Sequence, residues 1–161
     1  MAVLSDKDII RNLELGHLEI GNYNDSSLTP NGYDLRIKEI LIYGDNNTYE
    51  KGPVQIPPRT MFYVSTVERI RMPDNICAQI WLRTSWIRKG IIASFGKVDA
   101  GFNGTLTLGA FNAADKIIEI LIGERFCQIV FEYLTTLSEK NYEERSGHYQ
   151  HQDGLTLNPK K

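Results

Sequence analysis

Apolar and β-branched residues recur along this chain in short runs with strand spacing, at 37–43, 61–67, 76–82, 117–122 and 126–133. Turn chemistry separates them: Gly44-Asp-Asn-Asn47, Pro57-Pro58, Met72-Pro-Asp-Asn75 and Ala113-Ala-Asp115. Helical spacing precedes the first run. Ser5 stands where an N-cap accepts from the first-turn amides, Asp6 and Asp8 suit the positive end of the helix dipole, and Ile9, Ile10 and Leu13 share one face. This predicts a short amphipathic helix ending near Gly16. A second short helix is expected at Thr84-Ser-Trp-Ile-Arg-Lys-Gly90, and no βαβ alternation is present. The pattern therefore predicts a strand-dominated chain folded as a sandwich or barrel-like roll.

Two stretches stand apart. Lys97-Val-Asp-Ala-Gly-Phe-Asn-Gly-Thr-Leu-Thr-Leu-Gly-Ala-Phe-Asn112 reads as a tight β-hairpin, because strand formers flank a bend containing Asp99, Gly101, Asn103 and Gly104. Asp99 is either a turn former or a reactive carboxylate at the mouth of that hairpin. After Leu137 the chain is almost without aliphatic residues through Gly154. Such a segment buries too little apolar surface to stay ordered alone, so it is a passive tail or a lid that orders over a ligand. These readings divide the chain into a β domain over 1–137 and a flexible tail over 138–161 that serves as an active-site lid.

Composition narrows the classes. At 161 residues and 42% hydrophobic, the chain suits one domain with a sizeable core. A formal net charge of −2 offers no basic excess for nucleic acid or an anionic membrane surface. Cys77 and Cys127 lie in separate apolar runs, as buried reduced thiols do, and a cytoplasmic location is the simpler expectation. The first residues lack a leader pattern and no run reaches the roughly 18 apolar residues of a membrane span, so a soluble, unprocessed protein is expected.

The chemistry concentrates in two places. Arg83-Thr-Ser-Trp-Ile-Arg-Lys89 gathers Arg83, Thr84, Ser85, Arg88 and Lys89, a mixture of cations and hydroxyls suited to an anion, or else a solvated basic turn. It becomes a triphosphate cradle only if a carboxylate such as Asp99 lies nearby. Gly90-Ile-Ile-Ala-Ser-Phe-Gly-Lys97 departs from a Walker A loop in spacing and in having Val98 after the lysine. His17, His148 and His151 lack companions at metal-binding spacing, and the His-x-Glu with Pro-Cys-x-x-Cys of zinc deaminases is missing.

With these pieces in place the chain resembles the superfamily shared by trimeric dUTP pyrophosphatases and dCTP deaminases, and within it an archaeal-type dUTP diphosphatase of the dCTP deaminase-like branch. Five stretches match in order. They are Asn31-Gly-Tyr-Asp-Leu35, the Arg83–Gly90 segment with Thr84 in place of a serine, Val98-Asp-Ala-Gly-Phe-Asn-Gly104, Gly123-Glu-Arg-Phe-Cys-Gln-Ile-Val-Phe131, and His148-Tyr-Gln-His-Gln-Asp-Gly154.

The resemblance implies an all-β, distorted-barrel or jelly-roll-like fold with a short N-terminal and one short internal helix, assembled as a homotrimer with shared sites. It implies that Asp99 activates water, and that Arg83, Thr84, Ser85, Arg88 and Gln128 hold phosphates. Phe102 would pack on the deoxyribose, with Val98, Phe111, Tyr149 and Gln152 also contacting substrate. Asp34 would support a Mg2+ ion indirectly, through water or phosphate.

One departure separates the two activities. The deaminases carry a glutamate in a Leu-Glu-x-x-Asn pattern, whereas this chain reads Leu108-Gly-Ala-Phe-Asn112, with Gly109 at the glutamate's position. Glycine cannot give or take a proton. Rescue by Glu119 or Glu124, which belong to later segments, is not expected. The sequence thus favours Mg-dependent dUTP hydrolysis to dUMP and pyrophosphate. The alternatives are a dCTP deaminase or bifunctional enzyme, and a non-catalytic nucleotide-binding β-roll.

Overall fold

The computed structural model describes residues 2–45 and 47–160. Alternation of buried and outward residues drives the strands, and seven of them join edge to edge in one curled antiparallel sheet. Their order is Lys97–Val98, Ile76–Leu82, Arg125–Tyr133, Gly32–Ile42, Met61–Thr66, Thr107–Asn112 and Ile91–Ile92. Leu28–Thr29 and Thr48–Tyr49 pair onto Gly32–Ile42. A smaller sheet joins Glu19–Ile20, Ile70–Arg71 and Asn103–Gly104, and Pro53–Ile56 pairs with Ile118–Leu121. This is the all-β, jelly-roll-like architecture expected.

The alternation also positions the site. Phe62 and Val64 enter the core from Met61–Thr66, which leaves Met61 and Tyr63 facing outward. Leu108, Ala110 and Asn112 do the same from Thr107–Asn112, so Thr107, Gly109 and Phe111 face outward. The register sets Gly109 directly beside Tyr63. One outer sheet face thus carries the glycine, a phenol and a thioether together.

The first helix, Asp6–Glu14, has the expected start: the Ser5 hydroxyl accepts from the Asp8 amide while the Asp8 carboxylate accepts from the Ser5 amide. Its buried face differs from the expectation. Ile9 is fully buried, but Ile10 is 39% exposed and Asn12 takes its place at 5%. The Asn12 Nδ2 donates to the Asp8 carbonyl at 2.8 Å and to the Tyr133 hydroxyl at 2.9 Å, which satisfies the amide and lets it lie inside. Replacing Ser5 by Ala is expected to cost about 1 kcal/mol in urea unfolding, and an unchanged midpoint would show the cap to be idle. The internal helix, Thr84–Lys89, ends at Gly90 with φ +103° and is pinned by buried Trp86, whose Nε1 donates to the Arg125 carbonyl at 2.9 Å.

The expected hairpin over 97–112 is corrected. The bend exists: the Phe102 amide donates to the Asp99 carbonyl at 3.1 Å, and Gly101 supplies φ +83°. Its arms, however, do not pair with each other. Lys97–Val98 pairs with Gln79 and Ala78, Asn103–Gly104 with Arg71 and Ile70, and Thr107–Asn112 with Met61–Thr66. Turn chemistry is local and legible, whereas these partners are distant in sequence. The loop is a junction of three strand pairs.

A partly buried ion pair links Gly32–Ile42 to the segment that follows Met61–Thr66. Glu68 is fully buried, and its carboxylate accepts from the Arg36 amide at 2.9 Å and from the Arg36 Nε at 2.6 Å. Burial pushes the Glu68 carboxyl above its ordinary value, against the pull of those Arg36 donors. Cys77 and Cys127 are buried free thiols, as expected, and burial pushes Cys127 well up. Among the described residues, no helix is long and apolar enough to cross a membrane.

Candidate active site

Asp99 opens the bend, exposed, between buried Val98 and buried Ala100. Among the described residues, no hydrogen bond or ion pair engages its carboxylate, which leaves both oxygens available to a water. A cavity of about 380 Å³ lies against it. Val98, Asp99, Phe102, Tyr149 and Gln152, five of the residues expected in the site, line this cavity. Gly109, Tyr63, Lys97, Thr156 and Leu157 also face it, and among the described residues Asp99 is its sole carboxylate.

Phe102 is held in place from the tail. Its ring meets Tyr142 edge-on at 5.6 Å between centroids, and the Tyr142 amide donates to the Ala100 carbonyl at 2.9 Å. Gly101 is required here on two counts. Its φ is positive, and a Cβ would stand 2.8 Å from the Asn141 Cβ.

The segment after Leu137 lies along the junction. Its short helix, Tyr142–Arg145, starts from a capping box at Asn141. Gln150 reaches the Asn103 amide at 2.9 Å and the Gly101 carbonyl at 3.0 Å with its side-chain amide. The His151 amide donates to the Asn103 carbonyl at 2.7 Å, and the Gln152 carbonyl accepts from the Thr105 amide at 3.1 Å. Gln150 and Gln152 are buried. These contacts are polar and largely to backbone, which counting aliphatic residues does not register.

A second pocket, about 540 Å³, holds the basic group. Arg83, Ser85, Lys89, Arg36 and Arg125 line it. Asp34 lies beneath, only 4% exposed, with the Arg83 Nε at 2.9 Å and an Arg125 nitrogen at 3.6 Å from its Oδ2. Burial raises the Asp34 pKa, opposed by Arg83 and Arg125. Asp34 therefore serves first as the fixed counter-charge that aims Arg83.

Gln128 sits opposite Asp34 in register and donates to the Thr29 hydroxyl at 2.8 Å. Thr84 and Arg88 are exposed on the internal helix, and Lys89 places its ammonium 4.2 Å from the Trp86 ring centroid. Phe111 lines a separate apolar groove with Met61, Ile92 and Gly109. The Asp99 cavity and the Arg83 pocket share no lining residue. One chain brings the base-sized cavity and the phosphate-binding candidates to different places.

Glu119 and Glu124 do not reach the Asp99 cavity. Glu119 accepts from the Gln55 side chain at 2.5 Å on the small sheet, and Glu124 lines the basic pocket. A Cβ on Gly109 would meet the Met61 Cε at 3.2 Å and the Tyr63 ring at 3.5 Å. Among the cavity residues the sequence left unmarked are Tyr63 and Thr156. Tyr63 depends on the register with Gly109, and Thr156 on the path of the tail.

Comparison with known proteins bears on this arrangement. The family model described as dCTP deaminase-like matches residues 3–134. A protein named dCTP deaminase from Thermococcus kodakarensis is 40% identical over 141 residues, which cover 86% of this chain and 89% of that one. One named dCTP deaminase, dUMP-forming, from Sulfurihydrogenibium sp. is 36% identical over 174 positions, covering 96% and 94%.

Among solved structures, the 2'-deoxycytidine 5'-triphosphate deaminase of Agrobacterium tumefaciens aligns with TM-score 0.71 at 18% identity. That match covers 82% of this chain and 48% of the other, so this chain spans about half of that longer protein. EIAV dUTPase aligns with TM-score 0.53 at 17% identity, covering 80% and 98%. The structural likenesses speak to the fold.

Proposed function

The chain belongs to the dCTP deaminase-like family, and from that premise we propose that it is a dUTP diphosphatase releasing dUMP and pyrophosphate. The observation that carries the choice is Gly109, a position without a side chain in a cavity whose sole carboxylate among the described residues is Asp99. Water activation needs one base, and Asp99 supplies it. Deamination needs a group that also returns a proton to the departing amine, and no described residue beside Gly109 offers a second carboxylate.

In this reading Asp99 takes a proton from a water whose oxygen attacks the α-phosphorus. The bond to the bridging oxygen breaks and pyrophosphate leaves with the electron pair. Val98 and Phe102 frame the nucleoside, and Tyr149 and Gln152 close over it. Arg83, Thr84, Ser85, Arg88 and Gln128 take the phosphates, with Arg83 aimed by Asp34. Since the two pockets share no residue, the phosphate group of one copy completes the cavity of another, which suits a homotrimer.

The residues present do not build a magnesium cage. Among the described residues there is no cluster of three or more His, Cys, Asp or Glu, and Asp34 is committed to two guanidiniums. A Mg2+ ion suits this site as a companion of the triphosphate, held mainly by phosphate oxygens and water, where it would offset developing charge.

A second reading, deamination of dCTP alone or coupled to hydrolysis, is favoured by the relatives' names. Incubation with dUTP, dCTP, dTTP and UTP, each with magnesium, separates the readings. The expected result is pyrophosphate and dUMP from dUTP, with no uracil nucleotide from dCTP. Uracil formed from dCTP overturns the proposal in favour of deamination, and turnover of none of the four leaves a nucleotide-binding role.

A further inference from the structure

We propose that Glu39 is a positioning residue that latches residues 154–157 into place as one wall of the nucleotide cavity. The naming of the ligand as a nucleotide rests on the function proposed above; the latch itself does not. Glu39 lies in the central strand Gly32–Ile42, opposite Ser65 and just past a register shift between Ile37 and Glu39. Such irregularities re-aim a side chain. Here the carboxylate turns along the outer sheet face, away from the core.

Two hydrogen bonds converge on one of its oxygens. Oε1 accepts from the Ser65 hydroxyl at 2.7 Å and from the Leu155 backbone amide at 2.8 Å. Gly154 lies against the same oxygen so closely that a Cβ there would stand 2.7 Å from it, and its φ of +63° independently favours glycine. Thr107 completes the seat, its hydroxyl donating to the Gly154 carbonyl at 3.3 Å and accepting from the Thr156 amide at 2.9 Å. Beyond this point Thr156 and Leu157 line the cavity together with Tyr63 and Gly109. The nearby Lys38–Asp153 contact, 3.9 Å between exposed groups, adds little. A charge-assisted bond from a fixed strand therefore sets where the tail re-enters the site.

Hydrogen exchange on the nucleotide-free chain tests the latch directly. Glu39→Ala is expected to speed exchange of the Leu155 and Thr156 amides by about ten-fold, leaving Met61–Thr66 amides unchanged. Gly154→Ala, which replaces no sheet residue, should do the same, so a folding defect in the first variant does not decide the matter. Glu39→Gln, which keeps an acceptor oxygen, should recover part of the protection. Unchanged exchange at both amides in both alanine variants overturns the latch.

The wall role is read separately, with whichever of the four nucleotides the chain turns over. KM should rise about ten-fold in Glu39→Ala with kcat within about three-fold of the parent. Faster exchange with an unchanged KM overturns the wall. Because exchange is measured without nucleotide, an error in the assigned substrate leaves that result standing and is distinguished from failure of the latch.

Discussion

Asp99→Asn is expected to lower dUTP turnover by about 10³-fold while nucleotide affinity stays within about three-fold, because a positioned general base contributes roughly 10²–10⁴. Asparagine keeps the size of the side chain and loses the lone pair that takes the water's proton. The bend itself should survive, since it rests on the Phe102 amide, the Asp99 backbone carbonyl and the positive φ of Gly101. Pyrophosphate release gives the rate and calorimetry gives the affinity. A variant that retains full turnover removes Asp99 from the base role.

Arg36→Ala is expected to be strongly destabilising, costing about 3–5 kcal/mol at neutral pH, because it leaves the Glu68 carboxylate buried without its partner. The sign of the pH dependence follows from burial. Burial already holds the Glu68 carboxyl above its ordinary value, restrained by Arg36, and losing those donors raises it further. A folded-state value above the unfolded one means a contribution fully present below about 4.5 and lost as pH rises through the folded value. The deficit of the variant should therefore grow from mildly acidic to neutral pH. Urea unfolding at pH 5 and pH 7.5 reads it, and a loss independent of pH would mean that Glu68 is not the group left uncompensated.

The strands were legible because their alternation is local, as with Phe62 and Val64 against Met61 and Tyr63. The bend at Asp99 was legible for the same reason. What the sequence could not convey was partnership. The arms around that bend look complementary, yet each finds a different distant strand, and only the sheet order reveals it. Asn12 was overlooked because an amide is read as surface until its donors are accounted for by Asp8 and Tyr133. A lack of aliphatics predicts a free tail, whereas its attachment is a ladder of backbone and glutamine bonds. For the site, Asp99 and Gly109 were marked by a resemblance of motifs. Tyr63 and Glu39 were not, since each acquires its place from a register with Gly109 or Ser65.

The bonds from His151 and Gln152 to Asn103 and Thr105 have a bearing beyond catalysis. Asn103–Gly104 ends its small sheet, pairing on one side with Ile70–Arg71, and the tail occupies its other side. A strand edge with free amides and carbonyls is a template for another chain. The same segment that lines the cavity therefore also caps this edge, so that shortening the chain before His148 is expected to expose a surface prone to self-association.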